Sequence, residues 1–218
     1  MSLREAVAEL RNAAPSVLEA ADDTAWQRCL TELLSGHAAA SEAVRQVVHG
    51  ELESPATVAT QSLAQLLEAL KPVPRGPQKA GVVKALAEWW RTEFGDETTP
   101  AWSRALEDYR CALRAIRGLG PETVDRLLLF GARLAVAPVD RATLRIAVRH
   151  GWLDLPVTDE EAQATFLAGV GRSVDELRDG VRRLHHIGAE FCGRVPDCER
   201  CPLQPFLPAG GPLSPDAC

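Results

Sequence analysis

Cysteine is concentrated at the C-terminal end of the chain. Four of the six cysteines fall within the last 27 residues: Cys192, Cys198, Cys201 and Cys218. Thiolates at such short spacings converge on one centre, as in iron–sulfur and zinc sites. Four interpretations stay open: a four-iron cluster, a three-cysteine cluster with an external ligand, a zinc ion that also uses His185 or His186, and no metal. Cys29 and Cys111 stand apart, and we expect both to be buried as small apolar side chains.

A second chemical pattern is the short turn Gly118–Leu119–Gly120, which lies between two amphipathic helical segments. Glycine permits positive φ and lets a ligand approach the backbone closely, and Pro121 suits the first turn of the next helix. Amide groups exposed at that helix start would form an anion site, for which a DNA phosphate is the natural ligand. The same residues also suit an ordinary corner between two helices.

Asp140 is the acidic residue that most suggests chemistry. It follows the break Ala137–Val139 and precedes an amphipathic stripe, so we predict that it caps the N-terminus of a helix. The helix dipole favours the ionised carboxylate there. Beside a bound nucleotide, such a carboxylate can stabilise positive charge on the sugar while the base leaves, or orient a water molecule. A purely structural cap is the competing interpretation.

Charge is distributed unevenly along the chain. The 24 basic and 30 acidic residues give a net charge of −6, which by itself argues against a nucleic-acid partner. Residues 101–150, however, contain nine arginines against five acidic residues and carry +4, so the rest of the chain carries −10. A basic region on an acidic protein is typical of localised phosphate binding. Arginine, which suits bidentate phosphate recognition, supplies 21 of the 24 basic residues.

The elements that must position these groups are helices. Apolar residues recur at helical spacing and aromatic residues make up only 5%, so an all-β fold is excluded and we predict an all-α protein. Helices are predicted near residues 3–12, 24–35, 40–50, 62–70, 79–94, 101–115, 121–134, 141–150, 158–169 and 174–190, with a stiff connection at 72–77. The chain start lacks the apolar core of a signal peptide, and no run of about 18 apolar residues could cross a bilayer, which favours a cytoplasmic protein.

Three motifs in order resemble the helix-hairpin-helix DNA glycosylases of the endonuclease III type. They are Arg117–Thr123, Val139–Arg145 and the cysteine cluster. In addition, Lys79–Gly81 is similar to a Lys-Ala pair on the helix before the hairpin in that family. The resemblance spans residues 24–207.

This resemblance implies a fold of two all-α lobes with DNA in the cleft between them. A six-helix barrel with the hairpin is expected over residues 24–136. The second lobe would combine residues 1–23 with 137–218 and carry an iron–sulfur loop. Members of the family flip a damaged or mispaired base out of double-stranded DNA, which is therefore the expected partner.

The resemblance also implies roles for individual residues. Asp140 falls on the catalytic aspartate. DNA contacts are implied for Arg117, Gly118, Leu119, Gly120, Thr123, His37 and Lys79. His37 stands where the family usually has glutamine, whose side chain helps fill the hole left by the flipped base. The alternative for His37 is a surface histidine just past a helix.

One departure from the family bears on mechanism. Strand-cleaving members carry a lysine at the position of Glu122, and its amine forms a Schiff base with the sugar. Glu122 cannot form an imine, and the three lysines of the chain all precede residue 85. We therefore predict base removal by water with weak or no lyase activity, as in monofunctional branches that include alkylated-purine glycosylases. Any catalytic role of Glu122 would be secondary, since an acidic residue is also favoured in the first turn of a helix.

The cysteine motif departs as well. The family holds a [4Fe–4S] cluster on four cysteines usually spaced x6, x2 and x5, whereas here the first gap is one residue shorter and the fourth position is Leu207. Cys218 could supply the fourth ligand by looping back through the tail. We expect a [4Fe–4S] cluster on Cys192, Cys198, Cys201 and Cys218 that fixes the surrounding loop and takes no part in hydrolysis.

Taken together, the sequence predicts a monomeric DNA glycosylase of base-excision repair, acting in the cytoplasm of a bacterial-type cell on the nucleoid. Two alternatives stay open. One is a non-catalytic or structure-specific DNA-binding protein that kept the fold. The other is a bifunctional endonuclease III with a different nucleophile.

Overall fold

A computed structural model describes residues 2–13, 23–37, 39–171 and 173–213 of the protein, and the regular secondary structure of these residues is helical. These residues form eleven α-helices and no β-strand, which confirms the predicted all-α class. The helices are α1 (Leu3–Ala13), α2 (Ala25–Ser35), α3 (Glu42–His49), α4 (Pro55–Thr60), α5 (Leu63–Ala69), α6 (Gly76–Phe94), α7 (Leu106–Arg114), α8 (Pro121–Arg126), α9 (Arg141–Arg149), α10 (Asp159–Val170) and α11 (Val174–Glu190). None of them combines the length and apolar character that a membrane span requires.

The chain divides into two compact units. Unit 1 combines Met1–Glu19 with Ala135–Cys218, and unit 2 is Ala20–Leu134. In unit 1, helix α1 packs on α10 and α11, so segments from both ends of the chain form one core. Unit 2 contains α2 to α8, and a π-helical turn over Leu127–Gly131 extends α8 and packs on α2.

Unit 2 is built around the long helix α6. Its apolar residues Val83, Leu86 and Trp90 are buried, and the helix ends at a glycine with positive φ. Trp90 meets Trp26 of α2 edge to face, with ring centroids 5.2 Å apart. Each indole N–H donates to a backbone carbonyl, as a buried tryptophan requires.

Two details of unit 2 differ from the prediction. Helix α6 begins at Gly76 rather than at residue 79, because Pro77 is accommodated in the first turn, where its missing N–H costs nothing. Helix α4 was not predicted, since six residues are too few to display a period. Its start was nevertheless marked by Ser54 before Pro55: the serine side chain accepts a hydrogen bond from the Thr57 amide at 3.1 Å.

In unit 1, helices α9 and α11 approach each other closely. The contact centres on Gly188 of α11, where an added Cβ would lie 2.9 Å from Ala142 of α9. A side chain at that position would therefore push the two helices apart. Helix α1 is tied to α11 by Arg11, whose Nε lies 3.3 Å from the buried carboxylate of Asp179.

Candidate functional site

The hairpin between α7 and α8 has the conformation that its glycines suggest, with one correction. Leu119 is buried, at 6% exposure. Position 118 requires glycine for two reasons. Its φ is +100°, and a Cβ there would lie 2.7 Å from Val82 of α6. Gly120 has φ −79° and is the N-cap of α8, with no described atom within 4 Å of an added Cβ. Positive φ is therefore needed at the first glycine only.

The outer surface of the hairpin is open and basic. Arg114, Arg117 and Gly120 are exposed, while Thr123 is half-buried. No side chain of the described residues caps the N-terminus of α8, so its first amide groups have only solvent or a ligand as partners.

Part of the positive charge of residues 101–150 is neutralised internally. Arg110 lies 2.8 Å from the buried carboxylate of Asp125, and Arg126 pairs with Glu32 inside unit 2. Arg104 donates to both oxygens of Glu93, at 2.9 and 2.8 Å. The sequence count of nine arginines therefore overstates the charge available to a phosphate.

The end of α2 gathers several charged side chains, and we call this group the α2 terminus: Glu32, His37, Lys79, Glu122 and Arg126. The Lys79 ammonium donates to the carbonyls of Leu33 and Leu34 at 2.6 and 3.1 Å. Cations suit the C-terminus of a helix, where carbonyl groups lack partners. Burial and the nearby Arg126 lower the pKa of Lys79.

Arg126 is the centre of the α2 terminus. Its guanidinium is buried and donates to the Glu32 carboxylate and to the Gly36 carbonyl. Glu122 lies 3.6 Å from Arg126 and 3.1 Å from His37 Nε2. The structure thus unites His37, Lys79 and Glu122, which sequence reasoning treated separately. Sequence reasoning missed Glu32 and Arg126 as members of this group. The spacing of Glu122 and Arg126, four residues apart on one helix, was a signal that these two side chains are neighbours.

Asp140 caps α9, as predicted. Its Oδ1 accepts hydrogen bonds from the Thr143 amide at 2.7 Å and the Thr143 hydroxyl at 3.1 Å, and the Asp140 amide donates back to that hydroxyl at 3.0 Å. This reciprocal capping box fixes the backbone and one carboxylate oxygen. The side chain is 14% exposed, so a polar group can still reach it.

The second oxygen of Asp140 contacts another helix. Oδ2 is bonded to Nδ1 of His185 on α11. Because a carboxylate is an acceptor only, the ring must donate this hydrogen bond from Nδ1. Sequence reasoning considered His185 only as a zinc ligand; no periodic signal connects it with a residue 45 positions earlier.

The three described cysteines of the C-terminal cluster line one small cavity in unit 1. Cys192 is buried directly after α11, while Cys198 and Cys201 are half-buried in the following loop. His150 and Leu207 line the same cavity, the leucine at the position where the family motif has its fourth cysteine. Burial raises the pKa of both Cys198 and Cys201, so a bound metal would displace their protons.

A buried arginine faces this cavity. Arg149 is 5% exposed, and its Nη1 lies 3.1 Å from the Cys192 sulfur and 2.8 Å from the Gly193 carbonyl. Within the described residues no carboxylate pairs with this guanidinium. The carbonyls of Gly193 and Arg194 accept hydrogen bonds from this guanidinium, and its positive charge favours the thiolate form of Cys192.

The described residues of this cavity do not form a tetrahedral zinc site. The three sulfur atoms do not all lie within 4.8 Å of one another, whereas tetrahedral zinc with bonds of about 2.3 Å would hold sulfurs about 3.8 Å apart. Neither histidine of the zinc alternative is among the described residues lining the cavity: His185 contacts Asp140, and His186 pairs with Glu190. Cys218 lies outside the described residues.

The two isolated cysteines differ from each other. Cys29 is buried against Gly131, and burial raises the pKa of its thiol to about 12. Cys111 is exposed, so its predicted burial is wrong. The reason is its register on α7, where the buried positions are Tyr109 and Leu113 and Cys111 faces away from both.

Comparison with solved structures shows that the chain has the fold of the helix-hairpin-helix DNA glycosylases. It is similar to endonuclease III in complex with DNA, with a TM-score of 0.69 and 18% identity over 95% of this chain and 94% of that chain. For a thermostable thymine-DNA glycosylase the TM-score is 0.67, at 17% identity over 94% of both chains. For the 3-methyladenine DNA glycosylase MagIII of H. pylori it is 0.61, at 18% identity over 88% of this chain and 97% of that chain.

These likenesses establish the fold alone, because the identities are low. No protein-family model matches the chain. No curated protein matches it either.

Proposed function

We propose that the protein is a DNA glycosylase of base-excision repair that removes a damaged or mispaired base from double-stranded DNA. The observation that carries this proposal is the fixed carboxylate of Asp140, at the start of α9, in a chain with the fold of DNA glycosylases. Its monomeric state, its location on the nucleoid and the domain limits given above stay predictions.

The reaction we assign is hydrolysis of the N-glycosidic bond. The bond between C1′ and the base breaks with its electron pair on the base, and positive charge develops on the sugar. Asp140 would stabilise that charge, since a carboxylate held in advance costs no reorganisation during the reaction. A water molecule then adds to C1′, and the proton that it loses ends on the departing base, directly or by way of solvent, which leaves a free base and an abasic sugar.

The hairpin would hold a phosphate of the same DNA. Amide groups at the start of α8 and the exposed side chain of Arg117 suit an anion. Gly118 and Leu119 set the backbone path that exposes these amides. His37 is the candidate for filling the hole left by the flipped base, and its ring is 33% exposed beside Glu122.

We further propose that lyase activity is weak or absent. A Schiff base requires a neutral amine, and each of the three lysines is engaged elsewhere. Lys79 donates to two carbonyls of α2, Lys84 donates to Ala59 and Gln61, and Lys71 pairs with Glu68. Glu122 is held by His37 and Arg126. Lys79, whose pKa is lowered, is the one lysine that the bifunctional alternative could use.

For the cysteine-lined cavity we propose a [4Fe–4S] cluster on Cys192, Cys198 and Cys201. The support is the three cysteines that line one cavity and the buried Arg149 beside Cys192, which suits the negative charge of thiolate-bound iron. When bound, the cluster would fix the loop after α11 and supply no chemistry to hydrolysis. The fourth ligand, for which Cys218 is the candidate, stays a prediction.

The test of function is excision from a panel of duplexes, each with one damaged or mispaired base, under single-turnover conditions. We expect the wild type to release one class of base and Asp140→Asn to be slower by at least about a hundredfold. Asparagine also caps helices, so the variant should stay folded and bind DNA. Excision that survives in Asp140→Asn would contradict the assignment, and DNA binding without excision by the wild type would favour the non-catalytic alternative.

Two further measurements address lyase activity and cofactor. Borohydride reduction in the presence of abasic DNA should give no covalent adduct; an adduct that disappears in Lys79→Gln would support the bifunctional alternative.

Anaerobically purified protein should contain iron and sulfide, and Cys201→Ser should lose both. A comparison with Cys218→Ser then tests the fourth ligand, and zinc in place of iron would contradict the proposed cluster.

A further inference from the structure

His185 of α11 forms a contact with Asp140 that the capping of α9 does not require. One carboxylate oxygen suffices to cap α9, and Oδ1 does so through Thr143. The other oxygen, Oδ2, is bonded to a side chain from a different helix. Both oxygens are therefore fixed, which leaves the carboxylate little freedom to rotate about its terminal bond.

The surroundings of this contact suit a functional pair. The side chains of His185 and Asp140 are 21% and 14% exposed, so water and a ligand still reach them. The neighbouring His186 differs: its side chain is 76% exposed and pairs with Glu190 on its own helix. Of two adjacent histidines, the structure thus joins only one to the proposed catalytic carboxylate.

We propose that His185 is a positioning residue for Asp140. By donating from Nδ1 to Oδ2, it holds the carboxylate in the orientation in which it faces the positive charge that develops on the sugar. Charge–charge stabilisation depends on where the oxygens stand, so a rotated carboxylate would stabilise the reacting sugar less. This inference rests on the proposed glycosylase function and adds a residue that the family resemblance does not supply.

The test uses charge on the sugar without requiring the identity of the removed base. Two duplexes are compared that differ at one site: one carries a pyrrolidine analogue of the abasic sugar, which is cationic, and the other a neutral tetrahydrofuran. We expect the wild type to bind the cationic duplex more tightly, since transition-state mimics exploit the same contacts as catalysis. The ratio of the two dissociation constants measures how well Asp140 is placed.

Four variants isolate the role of His185. His185→Leu removes the donor and should reduce the ratio by roughly tenfold or more, the range of one hydrogen bond to a charged group. His185→Asn places an N–H near the position of Nδ1 and should restore the ratio, whereas His185→Gln places it further out and should not. His186→Leu is the matched control and should leave the ratio unchanged. Far-ultraviolet circular dichroism checks that each variant is folded.

The outcomes separate the inference from the function on which it rests. An unchanged ratio in His185→Leu, or the same ratio in the asparagine and glutamine variants, would overturn the role of His185 while leaving the glycosylase proposal intact. Comparison of His185→Asn with His185→Gln tests the role of His185 even if His185→Leu fails to fold. A wild type that does not distinguish the two duplexes would count against the proposed function itself, and the role of His185 would fall with it.

Discussion

The α2 terminus in unit 2 and the start of α9 in unit 1 are both helix ends with charges of the sign that the dipole favours, but they are built differently. At the α2 terminus the cations Lys79 and Arg126 bond to carbonyls and to Glu32, and Arg126 is buried. At the start of α9 the anion Asp140 is capped on one oxygen and bonded to His185 on the other, and it stays accessible.

The difference shows how the same physical rule can serve stability or chemistry. A buried charge whose hydrogen-bonding groups are all paired within the protein contributes to the folded state, and it has no free group with which to bind a substrate. A fixed carboxylate that stays accessible can act on charge that develops in a ligand. We therefore expect substitutions of Glu32, Lys79 and Arg126 to change mainly the free energy of unfolding, and substitutions of Asp140 to change mainly excision.

The largest effect on stability is expected for Glu32→Ala. It leaves the Arg126 guanidinium without its buried partner, which should lower the free energy of unfolding by about 3 kcal/mol. Urea unfolding measures this, with Glu42→Ala as control. Glu42 forms an exposed pair with Arg45, so its loss should cost less than about 0.5 kcal/mol. Equal costs for the two variants would show that the buried pair of Arg126 and Glu32 does not stabilise the α2 terminus.

The hairpin extends the comparison within unit 2. Gly118→Ala should cost about 2 kcal/mol, because alanine must adopt positive φ and meets Val82. Gly120→Ala should be nearly neutral in stability, since its φ is ordinary and its surroundings are open. DNA affinity at a stated salt concentration supplies the second readout. A weaker affinity in folded Gly120→Ala is expected if a phosphate approaches this backbone, and an unchanged affinity would contradict that contact.

At the start of α9, Asp140→Ala should cost about 1 kcal/mol of stability through loss of the cap. Asp140→Asn should keep most of that stability, and both variants should lose excision. Thermal unfolding and single-turnover excision measured side by side test this separation. If the excision rates of the two variants instead decreased in the same order as their stabilities, Asp140 would serve only as a helix cap.

For DNA affinity, the smallest effect is expected for Lys79→Met. The variant keeps most of the side-chain stem but loses two hydrogen bonds to α2, and we expect a cost of about 1 kcal/mol. DNA affinity should change little, because the ammonium is already occupied within the protein. A marked loss of affinity in a variant of normal stability would instead support the DNA contact that the sequence resemblance implies.

The sequence predicted the helices well where a long amphipathic stripe decides the structure, as in α6 with Val83, Leu86 and Trp90. It also predicted the cap at Asp140, because an N-cap is a local arrangement set by a few neighbouring residues. Helix α4 was missed because it is short, and Cys111 was misplaced because composition says nothing about the face of a helix on which a residue lies.

The candidate site was predictable residue by residue but not as an arrangement. His37, Lys79 and Glu122 were each singled out, yet their meeting at the α2 terminus depends on Arg126 and Glu32, which are 94 positions apart. The contact between Asp140 and His185 spans 45 positions. Such pairings are set by tertiary packing and leave no period or spacing in the chain.

Gly188 links the packing of unit 1 to the contact between His185 and Asp140. It lies three residues after His185 on α11, against Ala142, which lies two residues after Asp140 at the start of α9. The separation of the two helices therefore sets the distance between histidine and carboxylate. One methyl group added at position 188 would widen that separation and lengthen the contact between His185 and Asp140, although neither residue is changed.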